Sequence, residues 1–256
     1  MINYPRWTLI FSSIGFIVLA VPLAGMLIQA QWTQFPMLLA SRRSIDAIVL
    51  SLVTCSISTI LVLIIGVPLS LVLSRSTGKW VTWARTLITI PMVLPPVVAG
   101  LALLTTLGRR GLIGSSLSAI GIELSFTTCA VIVAQTFVAL PFLVVSLEGA
   151  LRTQGMDYER AAASLGASPS RIFWQITVPI SAPAIASGTA LSFARALGEF
   201  GATLTFAGSL QGKTRTLPLE IYLLRETDTD LAIALSVVLL AVAAIIVALS
   251  GRLRGR

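Results

Sequence analysis

The sequence predicts an all-α integral membrane protein with about six transmembrane helices. Three observations lead there. Hydrophobic residues make up 56% of the 256 positions, charged residues only 11%, and mean hydropathy is +0.95. A soluble domain carries about a quarter charged residues. Six apolar segments can be drawn, each near the roughly 20 residues that a bilayer span requires. The longest polar stretches, 148–176 and 208–230, are too short to build a soluble domain. The whole chain, 1–256, therefore reads as a single transmembrane domain.

The first segment, 8–28, follows Arg6 and resembles the start of a signal peptide. Its apolar stretch is longer than the usual core of about 7–15 residues, so it reads as a retained span. The second segment is 46–73, uninterrupted by charge. The third, 83–107, is broken by Pro91, Pro95 and Pro96. Prolines survive in a bilayer only where protein or a water-filled cavity satisfies the freed carbonyls. This segment should therefore face protein or a pore, and Gly100 suits close helix contact. The fourth, 126–147, contains Pro141. The fifth, 180–207, carries Arg195 and Glu199, and the sixth is 231–250.

Basic residues concentrate in cytoplasmic loops. With the N-terminus inside, ten fall inside: Arg6, Arg75, Lys79, Arg85, Arg152, Arg160, Arg171, Arg252, Arg254 and Arg256. Seven fall outside: Arg42, Arg43, Arg109, Arg110, Lys213, Arg215 and Arg225. That count favours both termini in the cytoplasm. The net charge of +8 belongs to these loops, and no basic cluster with interleaved aromatics exists to hold a nucleic acid.

Several chemistries find no support. The chain has no histidine and no nucleophile elbow, so neither a catalytic constellation nor a metal site is expected. Cys55 and Cys129 stand alone in apolar surroundings and make neither a zinc motif nor a disulfide framework. The stretch from Ala207 to Thr214 fits a relaxed phosphate-loop pattern, but Ala207 replaces the first glycine. A span precedes it and Pro218 follows, where a strand and a helix are needed. Nucleotide binding by this chain is not expected.

The segment 148–179 is the most informative. From Asp157 to Trp174 it favours helix, and Leu165-Gly166-Ala167-Ser168-Pro169 reads as stop, turn and start. Ser168 is placed to cap and Pro169 to take the first helical position. Two short helices joined at a bend follow. Ala161, Ala162 and Ala163 make one side smooth enough for another protein to approach closely, with Glu159, Arg160 and Arg171 around it. A solvated amphipathic loop is the bland alternative.

The spacing from Glu159 through Ala161, Ala162 and Gly166 to Ile176 and Pro179 resembles the cytoplasmic coupling loop of ABC-importer permeases. There an acid directly precedes two alanines; here Arg160 intervenes. Three further blocks sharpen the likeness: 94–100 with Pro95 and Pro96, 108–114 with Arg109 and Arg110, and 193–203 with Arg195, Glu199 and Gly201. Thr214-Arg215-Thr216-Leu217-Pro218 follows the last. Together they resemble the molybdate and tungstate branch of the oxyanion permeases, with sulfate permeases close behind. The resemblance runs from about Asp46 to the C-terminus.

The resemblance implies a type I importer architecture and a prokaryotic inner-membrane location. It implies a permease subunit for molybdate, with tungstate or sulfate as alternatives, that carries no ATPase site. ATP and magnesium would be used by a partner ATPase dimer gripping Glu159, Arg160, Ala161, Ala162, Gly166, Ile176 and Pro179. A second permease copy would complete the pore, and an extracytoplasmic molybdate-binding protein would deliver cargo. Pro95, Pro96, Arg195, Glu199 and Gly201 would belong to the pathway or its gate. Arg109, Arg110, Lys213 and Arg215 would meet the binding protein or the anion. Arg195 and Glu199, four apart, share one helix face and should pair inside the bundle. A stand-alone transporter or channel is the competing class, but no inverted repeat is visible. A scaffold without transport leaves the broken third segment unexplained.

Overall fold

The computed structural model describes residues 5–254, whose regular elements are helices, with no strand among the described residues. Arg256, counted above on the inner side, lies outside the described residues. The helices are α1 (Arg6–Gln29), α2 (Phe35–Leu39), α3 (Arg42–Arg75), α4 (Lys79–Val93) and α5 (Pro96–Leu107). Then come α6 (Gly114–Ala119), α7 (Thr128–Gln154), α8 (Asp157–Ser164), α9 (Pro169–Ile172) and a π-turn at Phe173–Thr177. α10 (Val178–Leu197), α11 (Gly201–Ala207), α12 (Leu217–Leu224) and α13 (Thr229–Arg254) complete the chain.

Five helical stretches are long and apolar enough to cross a bilayer, and the bent pair α4–α5 makes a sixth. α3 has 34 residues. At 1.5 Å per residue it spans about 50 Å, more than the roughly 30 Å hydrocarbon core. Its charged ends, Arg42 and Arg75, therefore clear the apolar slab. Ser41 starts it, accepting from the Ser44 amide. α7 begins on Thr127, which accepts from the Ala130 amide, and ends at Gly155 with φ +73°.

α7 is the spine. It packs between α3 and α10, and its Leu143 fills gaps left by two glycines. A Cβ on Gly66 of α3 would lie 2.7 Å from Leu143 Cδ2, and one on Gly188 of α10 would lie 2.8 Å from Leu143 Cδ1. With lipid on the outside, such small-residue seams rather than hydrophobic exclusion draw helices together. Buried hydroxyls bond across these helix contacts. Ser58 Oγ donates to Gln135 Oε1 at 3.1 Å, and Ser192 Oγ donates to the Ala139 carbonyl at 3.0 Å.

Two spans are interrupted, and the sequence reading needs correcting at both. Pro91 sits within a continuous α4. The break comes at Leu94, whose ψ of 135° is the extended conformation a following proline imposes. Pro96 then opens α5 at its first position, and the chain bends by 116° between the two helices. The segment expected at 180–207 is not one helix. Helix runs from Pro169 to Leu197, pauses over residues 198–200, and resumes as α11. The pause is built by Glu199, whose carboxylate accepts from the Ala202 amide at 2.7 Å and so caps α11.

The two faces of the bundle follow from long-range bonds. Arg75, at the end of α3, meets Glu159 in the loop after α7 at 2.9 Å. Gln31, just past α1, donates to Asp230 at the start of α13 at 2.7 Å. Ala47 near the start of α3 lies in one buried cluster with Leu231 near the start of α13, so the start of α1 and the end of α13 share the face that carries α8 and α9.

Candidate functional site

The α8–α9 elbow stands out from the bundle. Asp157 and Glu159 occupy the first turn of α8, where carboxylates suit the helix dipole. Gly166 ends it with φ +82° and open space around its Cβ position. Glycine is needed there for backbone conformation, not for room. Its amide donates to the Ala163 carbonyl and that of Ala167 to Ala162, both at 3.0 Å, closing the helix end. Ser168 accepts from the Arg171 amide and Pro169 takes the first position of α9.

Around this bend Arg160, Ala161 and Arg171 are exposed, and Ala162 is half-buried. Ile176 is half-buried and Pro179 exposed at the start of α10. Large apolar groups are presented too: Leu165 is 89% exposed, Tyr158 71% and Trp174 65%. Beside the smooth alanines, Leu165 is the most protruding apolar side chain of the elbow, which its place in the helix-stop signal does not reveal.

Glu159 does not join this outward surface. Its Oε1 accepts from Arg75 Nη2 at 2.9 Å and from Thr177 Oγ1 at 2.8 Å. A second ion-pair group lies nearby. Arg85 Nε donates to Glu148 Oε1 at 2.6 Å, Arg85 Nη2 donates to the Leu73 carbonyl, and Arg152 sits 3.8 Å from Glu148. Only the Glu148–Arg152 pair, four positions apart on α7, is visible in local spacing; Arg85 and Glu148 are 63 positions apart and Arg75 and Glu159 are 84.

Toward the opposite face, the interrupted spans interlock. A Cβ on Gly201 would fall 2.5 Å from Pro96 Cβ, and one on Gly100 would fall 2.8 Å from the Ala202 carbonyl. Pro95 is exposed at the bend. Arg195 Nη1 pairs with Glu199 Oε2 at 2.7 Å, with side chains 26% and 1% exposed. Pro96, Arg195, Glu199 and Gly201 are thus brought to one region where α5, α10 and α11 meet. A buried carboxylate is costly unless answered, and here a guanidinium and a peptide N–H both answer it.

The four cations expected on the outer side differ in situation. Arg109 pairs with Glu123 at 3.2 Å, both well exposed, and Arg110 and Lys213 are exposed. Arg215 is turned inward. It donates to Glu220, itself 2% exposed, at 3.2 Å, and to Ser209 Oγ and the Ser209 carbonyl. Its guanidinium holds the 208–216 loop together. The phosphate-loop look-alike lies in that same loop, where the Thr214 hydroxyl accepts from the Leu210 amide. α11 precedes it, so the strand a phosphate cradle needs is not there.

The family model for the inner membrane component of binding-protein-dependent transport systems matches residues 66–253. The chain belongs to that family. It is the membrane permease subunit of an ABC importer. The permease is 54% identical over 245 residues to the molybdenum transport system permease protein ModB of Mycobacterium tuberculosis, covering 96% of this chain and 93% of that one. It is 39% identical over 183 residues to ModB of Escherichia coli K12, covering 71% and 80%. To the sulfate transport system permease protein CysT of the same strain it is 32% identical over 229 residues, covering 88% and 83%. Among solved structures, a bacterial alginate ABC transporter in complex with an alginate-bound periplasmic protein matches with a TM-score of 0.74 at 18% identity. That match covers 96% of the permease and 92% of the other chain, and it supports the fold.

Proposed function

We propose that this permease conducts molybdate inward as one of two identical copies lining a pore. The reading of cargo is supported by the 54% identity to a molybdenum permease along nearly the whole chain. The reading of mechanism rests on one observation, the exposed α8–Gly166–α9 elbow with Leu165 at its tip. A cytoplasmic ATPase dimer grips that elbow, binds ATP with magnesium, and closes. Arg160, Ala161 and Ala162 form the contact surface, with Ile176 and Pro179 carrying the movement into α10. The spans then open outward to receive the anion from an extracytoplasmic binding protein, and hydrolysis resets them. The permease itself binds no nucleotide. The elbow and both termini lie in the cytoplasm.

The outer half has a matching logic. Arg195 lies in a span yet is 26% exposed within one copy. A cation at that depth is not turned to lipid, so this face of α10 borders a second copy or an aqueous path. Arg195 and Glu199, with Pro95, Pro96 and Gly201, brace the gate on that path. Arg109, Arg110 and Lys213 draw a dianion or a loaded binding protein to the rim.

Uptake of labelled molybdate into proteoliposomes, with the cognate ATPase and binding protein present, tests this. ATP-dependent uptake that tungstate competes and a tenfold excess (about) of sulfate does not is the expected result. Competition by sulfate at parity would move the assignment to sulfate, the cargo named for the CysT relative. Uptake by the permease alone would overturn the ATP-driven mechanism.

A further inference from the structure

We propose that Arg75 is a positioning residue for energy coupling, and that the Arg75–Glu159–Thr177 clamp makes the elbow a rigid lever. This rests on the reading of the elbow as the motor's docking site, and it assigns Glu159 a part other than touching the motor.

The clamp ties four parts of the chain at one point. Arg75 closes α3 and gives Nη1 to the Leu151 carbonyl near the end of α7, at 3.2 Å. Its Nη2 goes to Glu159 Oε1 in the first turn of α8, at 2.9 Å. The same carboxylate oxygen receives the hydroxyl of Thr177, the last residue of the π-turn leading into α10, at 2.8 Å. Arg75 and Glu159 side chains are only 16% and 15% exposed. Charge-assisted bonds in such a site hold direction as well as distance. A small cavity of about 20 Å³ lies beside them, lined by Gln154, Tyr158 and Ile176 as well as the clamp residues. It is wide enough for about one water.

Without the clamp, the elbow would hang from two flexible points. One is Gly155 at φ +73°, between α7 and α8. The other is the π-turn, whose wide winding is the least regular stretch of the α9–α10 rod. A push on α8 or α9 would then be absorbed at those points. With the clamp closed, the same push reaches α3 through Arg75 and α10 through Thr177 together. The neighbouring Arg85–Glu148–Arg152 group fixes α4 to α7 and does not touch α8. It holds the inner ends of the spans, while the clamp ties α3, α7 and the π-turn to α8.

The test uses the full complex in proteoliposomes, with two ratios measured: cargo imported per ATP hydrolysed, and stimulation of hydrolysis by the loaded binding protein. Arg75→Ala and Thr177→Val should still co-purify with the ATPase, while both ratios fall about fivefold to tenfold, the scale of a typical coupling energy. Glu159→Gln keeps an acceptor for both partners and should stay within about twofold of wild type. Glu159→Ala should behave like Arg75→Ala. Thermal unfolding of each complex guards against misfolding, and Thr177→Val, which loses one hydroxyl, carries the test should Arg75→Ala fail to assemble. Wild-type ratios in Arg75→Ala or Thr177→Val overturn the clamp and leave the docking reading standing. A wild-type complex that never couples hydrolysis to import overturns the docking reading and the clamp with it.

Discussion

At the scale of single residues, Gly166 and Glu159 illustrate what local spacing reveals and what it hides. Gly166 holds φ at +82° in open space. Replacing it by leucine puts a Cβ where nothing lies within 4 Å but costs about 1–2 kcal/mol of backbone strain. The elbow should relax by altering its bend, and ATPase co-purification should drop by about tenfold while the permease stays folded, as thermal unfolding would check. A variant that docks and imports normally would remove the elbow from the mechanism. The bend was legible because stop, cap and start signals sit within five neighbouring positions, Leu165 to Pro169. The direction of Glu159 was not. Its partner Arg75 looks in the sequence like any cation closing an apolar run, and Thr177 looks like part of a run that leads into a span. Arg215 misleads in the same way: a loop position implies solvent, but Glu220 and Ser209 claim its donors.

At the scale of elements, hydropathy finds spans well and finds their ends poorly. The fourth segment was expected to stop at residue 147, before Glu148. α7 instead continues to Gln154, with the charge of Glu148 answered by both Arg85 and Arg152. Charge marks where the apolar slab ends, not where a helix must end. α2, α6 and α12 have 5, 6 and 8 residues, too few to show a helical period. The interruption at residues 198–200 was foreshadowed by Gly198 and Gly201 on either side of Glu199, though which glycine unwinds and which packs needed three dimensions. The α3–α7–α10 core makes its own prediction. Leu143→Ala empties the two glycine-lined gaps and should destabilise the detergent-solubilised permease by about 2–5 kcal/mol in denaturant titration. Leu143→Met, which keeps volume, should lose less than about 1.5 kcal/mol. Equal losses would mean that α7 is not held by this seam.

At the scale of the whole molecule, the helices alternate so that the elbow, the start of α1 and the end of α13 share one face. Residue accessibility tests which side of the membrane that is. In a cysteine-free background, with Cys55→Ala and Cys129→Ser, Leu165→Cys should react with an impermeant maleimide only in inside-out vesicles. Leu112→Cys, at a site 85% exposed in the loop after α5, should react only in intact spheroplasts. The opposite pattern would invert the topology and leave the elbow unable to meet a cytoplasmic ATPase. The seam between Pro96 and Gly201 has a consequence of a different kind. Because no Cβ fits at position 201 while that ring faces it, neither site is free to drift by itself. Among descendants of a common ancestor, any gain of a side chain at 201 should arrive together with glycine or a displaced backbone at 96. The two breaks in the spans would thus leave a paired signature in the history of the lineage.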